Sequence, residues 1–250
     1  RSTLFPYTTL FRSPYRYDLV IVADNRSRLD EAAASLSAMH EAPVVKVVQA
    51  DLANAEGVIR VYNLIKALDR PVDLLAANAG VGVSGDFASE TDLDAEIALI
   101  NLNVTSQVHL IKLIAFEMVN RGSGDILITS SVAGVMPGPN MAVYAASKAF
   151  LRSFGQAIRH ELKDTGVNVT VLMPGPTDTE FFERADMLDT RLGQSPKQSP
   201  TAVATAAFAA LRSGSDHVVP GVRNKLHAGM IRLMSDEARA RMHGAQTKRE

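Results

Sequence analysis

No cysteine occurs anywhere in the 250 residues. Disulfides, thiolate nucleophiles and cysteine-based metal sites are thereby excluded, and the composition suits a reducing, cytoplasmic setting. Charge of one sign is also scarce: 26 Lys and Arg stand against 27 Asp and Glu, a formal net charge of −1. That balance gives no pull toward nucleic acid or an anionic membrane, and the basic residues are dispersed along the chain. No apolar run comes near the roughly eighteen residues a membrane span needs, so no span is expected. The six histidines show no HExxH or other ligand spacing, and the carboxylates do not cluster, so no metal is expected. No G-x-S-x-G elbow surrounds the serine discussed below, which makes a hydrolase triad improbable. No internal repeat is visible either.

What is there is a chain 46% hydrophobic, enough to bury the core of one large α/β domain. Apolar runs alternate with helical ones. Strands are expected over 17–23, 43–51, 71–77, 124–130, 166–174 and near His217 to Pro220. Helices are expected over about 27–39, 54–68, 92–102 with a continuation past Asn103, 142–164, and 201–212 behind Ser199-Pro200. Strands that alternate with helices and lack period-2 polarity predict a doubly wound parallel sheet, Rossmann-like in class.

The stretch with most chemistry runs from the strand GDILITS into a helix. Tyr144 and Lys148, four apart, share one helical face. A phenol titrates near ~10, so proton transfer near pH 7 needs a shift of about 3 units, roughly 4 kcal/mol, from neighbouring positive charge. Lys148 is such a charge, and an oxidised nicotinamide ring would be another. Ser131 stands thirteen residues earlier, at the carboxyl end of ILIT, where open α/β sheets bind ligands.

These residues, with NAG at Asn78 to Gly80, LNVT around Asn103, TSSVAG around Ser131, YAASK from Tyr144 to Lys148 and PGPTDT from Pro174 to Thr179, resemble the short-chain dehydrogenase/reductase family. The five pieces stand in the family's order over roughly residues 17–222. The resemblance implies an NAD(P)-dependent oxidoreductase that interconverts a secondary alcohol and a ketone. It makes Ser131 the holder of the substrate oxygen and Tyr144 its proton donor and acceptor. Lys148 would depress the phenol pKa and bind the nicotinamide ribose, and Asn103 would keep a relay water. Asn78, Ala79 and Gly80 would pack beside the adenosine ribose. Pro174, Gly175, Thr177 and Thr179 would orient the carboxamide and pyrophosphate, although a plain turn is the bland alternative. A small-molecule partner is implied, and homodimers or homotetramers through helices at about 104–121 and 142–164.

Two further contacts remain open between readings. Asp24 closes the strand YDLVIVAD, where a carboxylate accepts from both adenine-ribose hydroxyls and repels a 2′-phosphate, favouring NAD over NADP. An ordinary helix-entry Asp is the alternative, and Arg26 and Arg28 offer partners for a phosphate. Asp51 and Leu52 resemble the family's adenine-contacting pair, with a helix N-cap as the equal alternative. Gly80, Gly82 and Gly85 spell G-x-G-x-x-G, yet no acidic residue ends a second strand some twenty residues on, so this is a decoy. Residues 180–198 look like a lid whose Phe181, Phe182, Met187 and Leu188 cover an apolar substrate or simply cap the core. With Met136 and Met141 nearby, a hydrophobic carbonyl or alcohol is expected.

The chain opens on Arg1, and residues 3–13, TLFPYTTLFRS, resemble a translated sequencing adapter. Residues 1–13 are therefore set apart, 14–222 are read as one domain, and 223–250 as a helical, then basic-polar tail frayed at its end. The family places a strand, a glycine-rich turn and a helix before YDLVIVAD. That first βα unit is expected to be missing, and with it the turn that holds the pyrophosphate, so this polypeptide should bind dinucleotide poorly. A catalytically silent binder or an assembly subunit with the same fold is the alternative.

Overall fold

Residues 17–38, 45–231 and 234–249 are described in the structure, a computed structural model. The adapter-like segment 1–13 lies outside them. The elements run β1 (Leu19–Ala23), α1 (Arg26–Ser37), β2 (Val45–Gln49), α2 (Ala55–Ala67), β3 (Leu74–Ala77), α3 (Leu93–Ile100), α4 (Ser106–Arg121), β4 (Gly124–Thr129), α5 (Ala142–Glu161), β5 (Val167–Leu172), α6 (Phe181–Arg184), α7 (Arg191–Gln194), α8 (Pro200–Arg212), β6 (His217–Val218), α9 (Val222–Ile231) and α10 (Asp236–Thr247). Apolar residues dominate β1, β3, β4 and β5, β-branched ones are frequent except in β3, and every pairing between the named strands is parallel.

The strands fall into two sheets rather than one continuous sheet. β1 pairs with β2, and β3-β4-β5-β6 form a second sheet, with no ladder between β1 and β3 among the described residues. Side chains join them instead. Val20 and Val22 of β1 share an apolar cluster with Val48, Val58, Leu102, Ala79 and Val81. Ala76, in the middle of β3, is exposed although its strand lies inside an α/β protein.

Helix starts follow the expected chemistry. Asn25, Asn54, Asp92, Ser199 and Ser235 each accept a backbone N–H of the first turn, and Pro200 occupies the first turn of α8. Asn54, not Asp51, therefore caps α2. Asp51 instead accepts from Ala53 N–H and Asn54 Nδ2, bracing that cap. α3 and α4 are one continuous helix interrupted by a π-helical turn at Asn101–Thr105, with Ser106 N–H bonded to the Asn101 carbonyl. By length and composition this helix, Leu93–Arg121, could cross a membrane. Here Leu99, Leu102, Ile111, Ile114 and Met118 are buried in the protein core, the last three with Ile126, Ile128, Leu151 and Val169.

The segment expected as a frayed tail is docked. In α10, Arg239 donates to the Val135 carbonyl (3.2 Å) and Thr247 to the Pro139 carbonyl (2.9 Å). Arg249 bridges to Thr190 and pairs with Asp186. Hydrogen-bonding partners half the chain away, invisible in local pattern, hold this end against the turn that follows β4.

Candidate active site

Strand β4 ends by delivering Thr129, Ser130 and Ser131 to the carboxyl edge of its sheet. Ser131 caps a short 3₁₀ turn, Val132–Val135, by accepting from Ala133 N–H at 3.1 Å. Its own hydroxyl reaches the Pro174 carbonyl at 3.5 Å, a long contact that a substrate oxygen can replace. The turn lies directly on α5: a Cβ at Gly134 would stand 2.7 Å from the Lys148 carbonyl carbon, so only glycine fits. Ser130 Oγ adds a 2.6 Å bond to the Lys148 carbonyl. Strand, turn and helix are thus tied at the residue that carries the ammonium.

From α5, Tyr144 and Lys148 enter the same cavity, with Lys148 Nζ 5.8 Å from the Tyr144 ring centroid. Lys148 is buried and donates to the Thr129 carbonyl at 3.1 Å. Burial pushes its pKa down from the ordinary lysine value to about 8. Phe181 lies 5.2 Å from the Tyr144 ring, centroid to centroid.

Asn103 sits inside the π turn, fully buried. Its Oδ1 accepts from Val81 N–H and its Nδ2 donates to the Val81 carbonyl, both at 2.9 Å, with a further 3.1 Å bond to Ser147 Oγ. The side chain is committed to holding the backbone that follows β3. Gly80 is wedged between the two: a Cβ there would lie 3.0 Å from Asn103 Oδ1 and 3.2 Å from Lys148 Nζ.

The cavity, about 350 Å³, gathers Asn78, Gly80, Ser131, Tyr144, Lys148, Pro174, Gly175, Thr177 and Thr179 of the expected residues. Asn103 stands behind its wall. Asp24, Asp51, Leu52 and Ala79 do not line it. Asp24 and Asp51 follow the neighbouring parallel strands β1 and β2, Leu52 is buried in the adjoining core, and the Ala79 carbonyl accepts from Gln107 Nε2. In the expected lid, Phe181 and Phe182 line the cavity with Met136 and Met141, whereas Met187 is core and Leu188 faces solvent. The decoy glycines lie in the loop between β3 and α3, and no helix opens behind them until Leu93.

Two buried polar atoms on cavity residues, Asn78 Oδ1 and Thr129 Oγ1, have no hydrogen-bond partner. A carboxamide or ribose hydroxyl is the kind of group that satisfies them, so the cavity suits parts of a nicotinamide dinucleotide. No group of three or more metal-binding side chains is found among the described residues.

Sequence reading missed several contributors. Ser147 and Gln107 position Asn103 and Ala79, and ordinary polar residues on a helix give no signal of that. Arg191, His243 and Gln246 also line the cavity. They come from segments with no motif, and only the tertiary fold brings them there.

Comparison with known proteins agrees with this geometry. The short chain dehydrogenase family matches residues 14–187. An uncharacterized oxidoreductase of Staphylococcus saprophyticus is 31% identical over 197 residues, covering 79% of this chain and 81% of that one. The ketoacyl reductase HetN of Nostoc is 32% identical over 169 residues, which are 66% of this chain and 56% of that relative's length. A short-chain dehydrogenase from Sphingobium yanoikuyae, solved in complex with NADPH, superposes with a TM-score of 0.77 at 29% identity, covering 92% of this chain and 89% of the other. A strand-turn-helix carrying Ser131, Tyr144 and Lys148 within a parallel α/β fold, and these matches, place the chain in the short-chain dehydrogenase family of oxidoreductases.

Proposed function

We propose that this protein interconverts a secondary alcohol and a ketone with a nicotinamide cofactor, NAD in preference to NADP. One observation carries the reading: Ser131, Tyr144 and Lys148 face one cavity, with the lysine buried beside the phenol ring. When bound, the cofactor supplies or accepts the hydride. Ser131 Oγ exchanges its long contact with Pro174 for the substrate oxygen and holds it. Tyr144 gives that oxygen a proton in reduction and takes one from the alcohol in oxidation. The Lys148 charge favours the phenolate and lowers the cost of that transfer. Asn103 fixes the strand end beside them, and a relay water at this position would return the proton to solvent.

For the cofactor, Lys148 would hold the nicotinamide ribose, and Pro174, Gly175, Thr177 and Thr179 the carboxamide and pyrophosphate. Asn78, Ala79 and Gly80 would flank the adenosine ribose, Asp24 would accept its hydroxyls, and Asp51 and Leu52 would meet adenine. The NAD preference is supported by Asp24 and by its neighbours. Arg26 is paired with Asp30 (2.9 Å) and Arg28 with Glu180 (2.6 Å), exposed ion pairs with which a 2′-phosphate would compete. Self-assembly is supported by Phe116 on α4 and Phe150 on α5, both exposed.

A doubly wound sheet orders its strands 3-2-1-4-5-6, so its first strand lies between the second and fourth. The break between β1 and β3, and the exposed Ala76, fall at that place. This supports the reading that a preceding strand, glycine turn and helix complete the functional protein, and that the polypeptide without them binds dinucleotide weakly. The test compares the 250-residue chain with one extended by such a unit, following reduced-cofactor absorbance over a ketone panel. Turnover in the extended chain alone is expected. Normal cofactor affinity in the shorter chain would remove the truncation reading, and no turnover in the extended chain would remove the oxidoreductase reading.

A further inference from the structure

The C-terminal helix brings to the cavity a side chain that the proposed chemistry does not use. His243 of α10 lines the cavity, is 97% buried, and has an Nδ1 with no hydrogen-bond partner. Burial holds its pKa below the usual histidine value, which favours the neutral ring with one donor and one acceptor nitrogen. Nδ1 is the ring nitrogen left without a partner, and with the proton on Nε2 it offers a lone pair.

The helix is tied to the loop beside the ring: Thr247, one turn further along α10, donates to the Pro139 carbonyl at 2.9 Å. The cavity wall mixes apolar side chains, among them Met136, Met141, Phe181 and Phe182, with polar ones such as Arg191 and Gln246. A buried nitrogen with no partner favours a ligand that carries the matching donor, because an apolar ligand leaves it unmet.

We propose that His243 is a substrate-recognition residue whose Nδ1 accepts a hydrogen bond from a second hydroxyl of the substrate, remote from the carbonyl held at Ser131. The preferred substrates are then hydroxylated ketones and the corresponding diols rather than plain apolar ketones. Which end of the ligand reacts rests on the oxidoreductase reading; the His243 contact does not.

The test uses the full chain labelled with ¹⁵N-histidine, with cyclohexanone and its 3- and 4-hydroxy derivatives as probes. Binding is measured by calorimetry, and the His243 ring nitrogens are followed by long-range proton–nitrogen correlation. At least one hydroxy derivative should bind about tenfold more tightly than cyclohexanone, the scale of one hydrogen bond. It should move the Nδ1 resonance, while cyclohexanone leaves it in place. His243→Leu should erase the difference without weakening cyclohexanone, and His243→Gln should restore part of it. Equal affinities, a stationary Nδ1, selectivity surviving in His243→Leu, or no saturable binding by any hydroxy derivative each overturn the proposal. If the leucine variant does not fold, the wild-type nitrogen shifts still decide. A moving Nδ1 with no turnover in the extended chain counts against the oxidoreductase reading alone, and turnover with a stationary Nδ1 counts against this one alone.

Discussion

Asn103 and Val81 grip each other twice, the amide oxygen of the first taking the N–H of the second while the amide nitrogen gives to its carbonyl, both at 2.9 Å. Two residues from different elements thereby behave like neighbours in a ladder. Asn103→Ala leaves a backbone donor and acceptor without partners and empties a fully buried site. A loss of about 2–4 kcal/mol is expected by denaturant titration. A variant within half a kilocalorie of the parent would show that Val81 finds other partners.

Gly80→Ala tests the wedge between Asn103 and Lys148. Its methyl must push one of two buried polar groups by a few tenths of an ångström. The expected cost is about 1–3 kcal/mol of stability, as for other overpacked sites. Turnover in the extended chain should fall with it. Unchanged melting and unchanged turnover would place the slack elsewhere in the loop.

Lys148 gives a pH dependence with a definite sign. Its folded pKa, about 8, lies below its ordinary value of 10.5. Between those values the unfolded chain holds the proton and the folded chain does not, so stability rises with pH across that window and is lost again as pH falls through about 8. Against Lys148→Met, which does not titrate, the parent should gain up to about 3 kcal/mol between pH 7.5 and 10.5. A flat difference between the two proteins over this range would contradict the buried-ammonium picture.

Tyr144→Phe removes the proposed proton carrier and keeps the ring that packs against Phe181. In the extended chain the rate should fall by ~10² or more with ketone binding retained. Undiminished turnover would pass the proton role to another group.

Asp24→Ala, also in the extended chain, should relax the preference for NAD. The quantity to compare is the ratio of kcat/KM for the two cofactors. An unaltered ratio would leave Asp24 as an ordinary strand-end residue.

Much of this was legible in the letters because it is local. The strand-to-helix passage from Ile126 to Lys148 is contiguous, and four-residue spacing alone puts Tyr144 and Lys148 on one face. The join near Asn103, between the helix expected over 92–102 and its continuation, emerged as a π turn. Long-range partnerships were not legible. Val81 as the mate of Asn103, Asn54 rather than Asp51 as the cap of α2, and His243 in the cavity wall depend on pairs that no periodicity connects. The double sheet was hidden too, because alternation of strands and helices specifies layers but not whether adjacent strands meet.

The π turn makes the long helix unequal in its tolerance of lost residues. Removing one residue from most of Leu93–Arg121 would rotate everything beyond it by roughly 100°, carrying Ile111, Ile114 and Met118 off the core. Removing one within Asn101–Thr105 would take out the surplus residue and restore an ordinary spiral with both flanking halves still correctly aimed. The amide at 103 therefore rides on an insertion, and a shortened helix could keep its packing while losing its grip on Val81.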